Sequence, residues 1–180
     1  MIVTVSGEIG AGKSTVARAL ARALRLRYLS AGDVFREEAR RRGMSLAALG
    51  RLAEQDPSID KNLDEKQIQA ARGGDILVDS RLSGWLIDGD IRIWLKAPLP
   101  VRASRVASRD SVPHDQALRD VQEREEGERR RYRKTYGIDL VDLSRYHIIV
   151  DTGMWSADDI VDVLLRLAQK FQPERLGRPF

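Results

Sequence analysis

With 180 residues, 42% of them apolar and 32% charged, the chain is long enough for one well-filled core and too apolar to be a disordered tract. It contains no cysteine, which excludes disulfides and thiolate metal centres. Neither a leader pattern nor an apolar run of membrane-spanning length is readable, so a cytoplasmic protein with no membrane partner is expected. The net charge of +4 is 31 Lys and Arg against 27 Asp and Glu, a mixture that suits a charge-dense helical surface better than a nucleic-acid interface.

The chain opens on a β-branched run, Ile2-Val3-Thr4-Val5, followed by Gly7-Glu8-Ile9-Gly10-Ala11-Gly12-Lys13-Ser14-Thr15 and then a helical pattern. This is G-x-x-x-x-G-K-[ST] in the strand–loop–helix context that gives the motif its meaning. The glycines leave backbone N–H groups bare for phosphate oxygens, and the helix N-terminus favours an anion. Lys13 is expected to neutralise the β- and γ-phosphates of ATP, and the Ser14 hydroxyl to ligate Mg²⁺. Glu8, a carboxylate beside phosphates, is expected to point outward.

Val16, Leu20 and Leu24 form one face of the following helix, and Arg27-Tyr28-Leu29-Ser30 is a second short strand. Strand, loop, helix and strand in succession imply a right-handed βαβ unit and a parallel sheet. A helix then starts at Ser30 or Gly32, bringing Asp33 and Arg36 to a strand's carboxyl end, the ligand-binding edge of such sheets. Arg36 is a candidate phosphate clamp. Asp33 is a candidate outer partner for Lys13 or for water on the metal, or else part of a solvated helix start.

Residues 45–72 are helical in pattern with a break at Asp56-Pro57. The second half carries Asp60, Asp64 and Gln67 at i, i+4 and i+7. That stripe is either solvated or edges a second substrate pocket, where it would accept hydrogen bonds from the amine of a base. Asp75-Ile76-Leu77-Val78-Asp79 is an apolar strand ending in an acid, Asp79, which is the expected metal-side carboxylate of a phosphate-loop protein, and Arg81 follows it.

Ile91–Leu95 is a further strand, and a helix from near Val101 shows Arg102, Arg105 and Arg109 on one side. From Pro113 to Tyr136 the chain is helical and heavily charged, with Arg124, Glu128 and Arg131 on one face, as in a lid that closes arginines over phosphates. Tyr146–Val150 is the last strand. Ser156 with Asp159 resembles a capping box for a helix whose apolar face is Ile160, Val163, Leu164 and Leu167. A loosely attached tail is expected from Phe171, with Pro173, Gly177 and Pro179. His114 and His147 lack partners at metal or triad spacing and are read as structural.

Taken together, residues 1 to about 170 resemble the nucleoside monophosphate kinases, most closely the archaeal-type cytidylate kinases. The resemblance rests on Gly7–Thr15, Ser30-Ala31-Gly32-Asp33 with Arg36, Asp79-Ser80-Arg81, Arg124-Glu125-x-x-Glu128-x-x-Arg131, Tyr136-Gly137-Ile138-Asp139 and Asp151-Thr152. Bacterial relatives show Asp-Gly-Arg at 79–81 and aspartates at 125 and 128, and they hold the base with an inserted region for which this chain is too short. The resemblance implies an α/β fold of the P-loop kinase type. That is a three-layer α/β/α arrangement with a five-stranded parallel sheet, one domain over 1–180, an acceptor-binding segment at about 31–73 and a helical lid at about 105–137. It further implies transfer of phosphate from ATP, with Mg²⁺, to CMP or dCMP; a monomer is expected. Arg36 and Arg131 would serve the acceptor monophosphate, Arg81 the acceptor nucleotide, Lys13 and Arg124 the transferring group, and Glu128 the acceptor sugar, while Asp60 of the polar stripe is a candidate substrate contact.

Other acceptors, UMP, AMP or shikimate, fit the same donor half. A GTPase-like switch would need D-x-x-G and N-K-x-D, and the chain has neither. A nucleic-acid reader using helices 102–109 and 124–134 would have only Tyr132 and Tyr136 nearby for stacking.

Overall fold

In the computed structural model, which describes residues 1–172, the first strand is the middle of the sheet. β1 (Ile2–Gly7) is flanked in parallel by β3 (Ile76–Asp79) and β4 (Ile91–Lys96). With β2 (Arg27–Ser30) and β5 (Ile148–Asp151) the order is β2-β3-β1-β4-β5, all parallel. Successive strand residues face opposite sides, and a sheet covered on both faces needs apolar side chains on both. Val3, Val5 and Leu77 pack on one side with Val16 and Leu20 of α1 (Lys13–Ala23) and Ile160 and Leu164 of α8 (Ala157–Gln169). Ile2, Ile76 and Val78 turn to the other side against Ile68 and Ala71 of α4 (Ser58–Arg72). The result is the three-layer α/β/α arrangement.

Because the strands share one direction, their carboxyl ends share one edge: Gly7, Ser30, Asp79, Lys96 and Asp151 end there. The segments leaving that edge carry the charged residues. Ser30 caps α2 (Ala31–Arg41), accepting from the Asp33 N–H at 3.2 Å, so Ser30 rather than Gly32 starts the helix. Ser45 caps α3 (Leu46–Gln55) in the same way. After β3 comes α5 (Ser83–Leu86), a single turn with no readable periodicity. After β4 come α6 (Leu99–Asp110) and the 23-residue α7 (His114–Tyr136), which ends at Gly137 in the left-handed conformation with φ 69°. No helix among the described residues is long and apolar enough to cross a membrane.

Two expectations near the carboxyl terminus need correction. α8 buries the stripe Ile160, Leu164 and Ala168, with Val161 and Leu165 beside it, while Val163 and Leu167 are 57% and 46% exposed. The choice between two apolar flanks is made by the fit to α1 and not by the helix's own pattern. Phe171 packs on the main core instead of starting a loose tail. The rest of the expected tail, with Pro173, Gly177 and Pro179, lies outside the described residues.

The loop after β1 is pressed against α6. Gly10 has φ 79°, and a Cβ there would come within 2.7 Å of the Arg102 carbonyl oxygen. Gly10→Ala is therefore expected to cost about 1–3 kcal/mol through backbone strain and steric conflict. Urea unfolding checks this as a lowered midpoint with an unchanged slope.

Candidate active site

The phosphate-loop residues wrap the start of α1. Glu8 N–H donates to the Leu95 carbonyl at 3.0 Å, Ala11 N–H to the Glu8 carbonyl at 3.2 Å, and Lys13 Nζ to that same carbonyl at 2.7 Å. Gly12, at φ 83°, is the N-cap and has no side chain to compete for the free N–H groups of the first turn. Burial foremost, and the Arg81 guanidinium next, lower the Lys13 ammonium to about 8. An anion on the loop supplies the counter-charge that this buried ammonium needs.

Beside it, Ser14 Oγ donates to Asp79 Oδ2 at 2.6 Å, and Tyr28 hydroxyl donates to the same oxygen at 3.0 Å. Asp79 and Ser14 are thus together at the sheet edge, as their positions at the end of β3 and the start of α1 require. A hydroxyl and a carboxylate are hard oxygen donors of the kind that hold Mg²⁺ together with phosphate oxygens and water. Among the described residues no cluster of three or more His, Cys, Asp or Glu forms a protein-only metal cage.

One cavity of about 880 Å³ is lined both by this loop and by Arg36, Arg81, Arg124 and Arg131. Arg81 donates from Nε to Glu128 Oε2 at 2.6 Å and from Nη1 to the Gly7 carbonyl. Burial opposes ionisation of Glu128, but Arg81 and Arg124 outweigh it and hold the carboxyl below its usual range. Arg131 Nε lies 2.6 Å from Asp60 Oδ2, and both side chains are over nine-tenths buried. Arg131 also donates to the Gly50 carbonyl at 3.3 Å and lies over the Tyr132 ring. Burial raises the Asp60 carboxyl to about 6, with Arg131 opposing the rise. Arg124 lines the same cavity. Arg36 is held by Asp33 at 2.5 Å, and Asp33 also accepts from Arg18 at 3.3 Å.

Two sequence readings change at this point. Asp33 does not line the cavity or reach Lys13; it orients Arg36 from the side. Glu8 turns away from the cavity, as expected, but not into solvent. Its carboxylate accepts from the Ala97 N–H at 3.0 Å and pairs with Arg102 Nε at 3.2 Å. Arg102, which the spacing puts on one side of its helix with Arg105 and Arg109, is buried in that knot. It donates to the carbonyls of Ala97 and Ile9 and to Glu125 Oε1 at 2.8 Å. Arg109 pairs with its neighbour Asp110.

Sequence reasoning missed the strap that joins β5 to the loop. Arg105 grips Thr152 through its hydroxyl at 2.8 Å and its carbonyl at 2.7 Å, and the Thr152 hydroxyl donates to the Ala11 carbonyl at 2.9 Å. A polar residue directly after an apolar strand was the available signal. Tyr28 as a partner of Asp79 had none, since it depends on β2 lying beside β3. Of the two histidines, His147 is hydrogen-bonded to Arg92, in keeping with a structural role.

The polar stripe on α4 is buried, not solvated: Asp60, Asp64 and Gln67 are each under 9% exposed. Asp64 Oδ2 accepts from the Tyr136 hydroxyl at 2.5 Å, and Asp64 Oδ1 from Gln67 Nε2 at 3.0 Å.

Comparison with known proteins agrees with this geometry. The chain is 46% identical over 165 residues to a cytidylate kinase of Methanothrix thermoacetophila, covering 92% of this chain and 96% of that protein. It is 44% identical over 178 residues to a cytidylate kinase of Halobacterium salinarum, covering 97% and 93%. Among solved structures, an uncharacterized protein from Eubacterium ventriosum superposes with a TM-score of 0.69 at 16% identity, over 94% of this chain and 98% of that one. Shikimate kinase from Acinetobacter baumannii in complex with shikimate superposes at 0.57 and 18%, over 94% and 93%. These two likenesses concern the fold alone. Residues 2–154 match the cytidylate kinase-like family, and with relatives this similar over nearly its whole length the chain belongs to that family.

Proposed function

We propose that the protein transfers the γ-phosphoryl group of ATP to CMP or dCMP, giving ADP and CDP or dCDP. The observation that carries this reading is two phosphate-seeking sets lining one cavity: the loop with Lys13, and the arginines Arg36, Arg81, Arg124 and Arg131. A nucleotide switch needs the first set only. Membership of the cytidylate kinase-like family supports the choice of a cytidine acceptor.

In this reading the loop from Gly7 to Thr15 cradles the donor phosphates and Lys13 spans the β- and γ-groups. Arg36 and Arg131 hold the acceptor phosphate, Arg81 supports the acceptor nucleotide, Arg124 meets the transferring group, and Glu128 meets the acceptor sugar while fixing Arg81. The bond from the γ-phosphorus to its bridging oxygen breaks as an acceptor phosphate oxygen bonds to that phosphorus, and ADP leaves. The acceptor oxygen is already anionic near neutrality, so no general base is assigned. Positioning and charge neutralisation supply the acceleration. Ser14 and Asp79 fit Mg²⁺, which when bound with ATP would screen charge on the phosphate oxygens. The acceptor-binding segment is about 31–73 and the lid about 105–137, within one domain of 1–180. One chain supplies every residue invoked, and the working unit we propose is a monomer acting on small nucleotides in the cytoplasm.

A coupled ADP-release assay with ATP and Mg²⁺ across CMP, dCMP, UMP, AMP, GMP and shikimate tests the assignment. Turnover of CMP and dCMP above the others is expected, and turnover confined to AMP or shikimate would overturn it. Chelating the metal should abolish turnover, and Asp79→Asn should raise the Mg²⁺ concentration giving half-maximal rate by about tenfold or more. Arg131→Ala is expected to lower kcat/KM for the acceptor by about 100-fold or more while leaving the KM for ATP within a few-fold. Loss of ATP affinity alone in that variant would refute the role given to Arg131.

A further inference from the structure

The stripe on α4 divides into two parts with different tasks. Asp60 is occupied by Arg131, so that turn of the helix belongs to the phosphate end of the cavity. Asp64 also lines the cavity, one turn further on, about 6 Å along the helix axis. It differs from Asp60 in one respect: among the described residues no cation lies within salt-bridge distance of it. Its two bonded partners, Tyr136 and Gln67, are neutral donors, one on each oxygen.

A carboxylate kept 8% exposed without a cation is expensive to hold, and a purely structural site would do as well with an amide. The two donors do something an amide would not need. Each takes one lone pair and locks the carboxylate plane. Gln67 is itself tied to the Leu63 carbonyl at 3.3 Å, and Tyr136 sits on the last turn of α7. A carboxylate offers about four acceptor positions, so about two remain for a ligand in the cavity. Such an oriented acceptor, beyond the phosphate clamp of a nucleotide site, complements a ring that projects an N–H donor.

We propose that Asp64, braced by Gln67 and Tyr136, accepts a hydrogen bond from the 4-amino group of cytosine and is the residue that separates cytidine from uridine acceptors. The inference rests on the reading that the acceptor is a cytidine monophosphate. Cytosine presents an amine at position 4, which carboxylates accept from. Uracil presents a carbonyl oxygen there, so acceptor would face acceptor and a buried carboxylate would lose its partner. No insertion is needed to hold the base, because the reader is part of the helix that also carries Asp60. Tyr136 couples the reader to the lid: Asp64 is fully oriented only while α7 lies against α4.

The test uses the full chain. Wild-type protein, Asp64→Asn and Tyr136→Phe are compared by calorimetric titration with CMP and with UMP in the absence of a donor, and by kcat/KM for each acceptor at saturating ATP. Wild type is expected to favour CMP over UMP by about tenfold or more. Asp64→Asn should lower CMP binding and kcat/KM by about 10–100-fold while leaving UMP unchanged or improved, since an amide can donate to a 4-oxo group, and the KM for ATP should not move. Tyr136→Phe, which removes one hydroxyl, should shrink the CMP-to-UMP ratio by about 3–10-fold. Equal loss on CMP and UMP in both variants, or no change in the ratio, would overturn the assignment. If Asp64→Asn does not fold, the ratio in Tyr136→Phe decides. Wild type that is active on CMP and UMP alike would sink the base-reading role and leave the kinase reading intact. Wild type that turns over AMP or shikimate and neither pyrimidine would sink the kinase reading itself.

Discussion

An arginine taken out of water must find a negative partner, and this requirement organises the whole interior of the site. Arg131 has Asp60, Arg81 has Glu128, and Arg102 has Glu8 and Glu125. The buried pairs are not stability devices in themselves, because desolvation consumes most of the attraction; what they do is hold guanidinium groups in place, since removing one partner leaves a buried charge at a cost of about 3–5 kcal/mol. The exposed pair of Arg36 and Asp33 contributes at most about 1 kcal/mol, so Arg36 can be recruited by a ligand at little cost.

The sheet makes these pairings possible by bringing distant segments to one edge. Glu8 from the loop, Arg102 from α6 and Glu125 from α7 meet only because β1 and β4 are neighbours in the sheet. The same knot binds the Ile9 N–H and carbonyl, so the phosphate loop and the base of the lid share hydrogen bonds. A movement of α7 is therefore felt at the loop through a continuous set of polar contacts, with Arg105 and Thr152 making a second connection on the other flank.

Much of this was legible in the residues because it is local. The strand–loop–helix unit that opens the chain, the cap at Ser156, the break at Asp56-Pro57 and the acid at the end of β3 are written in spacings of a few residues, and the structure has them where those spacings put them. What was illegible is tertiary. The i, i+4, i+7 stripe on α4 has the same pattern whether it meets water or a cavity; only tertiary packing decides, and with Arg131 and Tyr136 of α7 set against it the stripe is buried. Likewise Glu8 belongs to a motif whose intervening positions carry no rule, so its partner 94 residues away could not be inferred. α8 offered two apolar flanks, and the groove beside α1 selected one.

In the proposed reaction Lys13 and Arg131 would receive phosphate in unlike ways. Lys13 is met by a neutral carbonyl of its own loop, a dipole that a phosphate displaces without leaving any charge stranded. Arg131 is met by a full carboxylate on a different helix, and an incoming phosphate must compete with it and leave Asp60 beside a second anion. The two halves of the cavity thus differ in readiness: one is an open cradle, the other a charge exchange. In the proposed reaction Asp60 would be a resident stand-in for the acceptor's phosphate, keeping Arg131 occupied, and away from a lone triphosphate, whenever no second nucleotide is present.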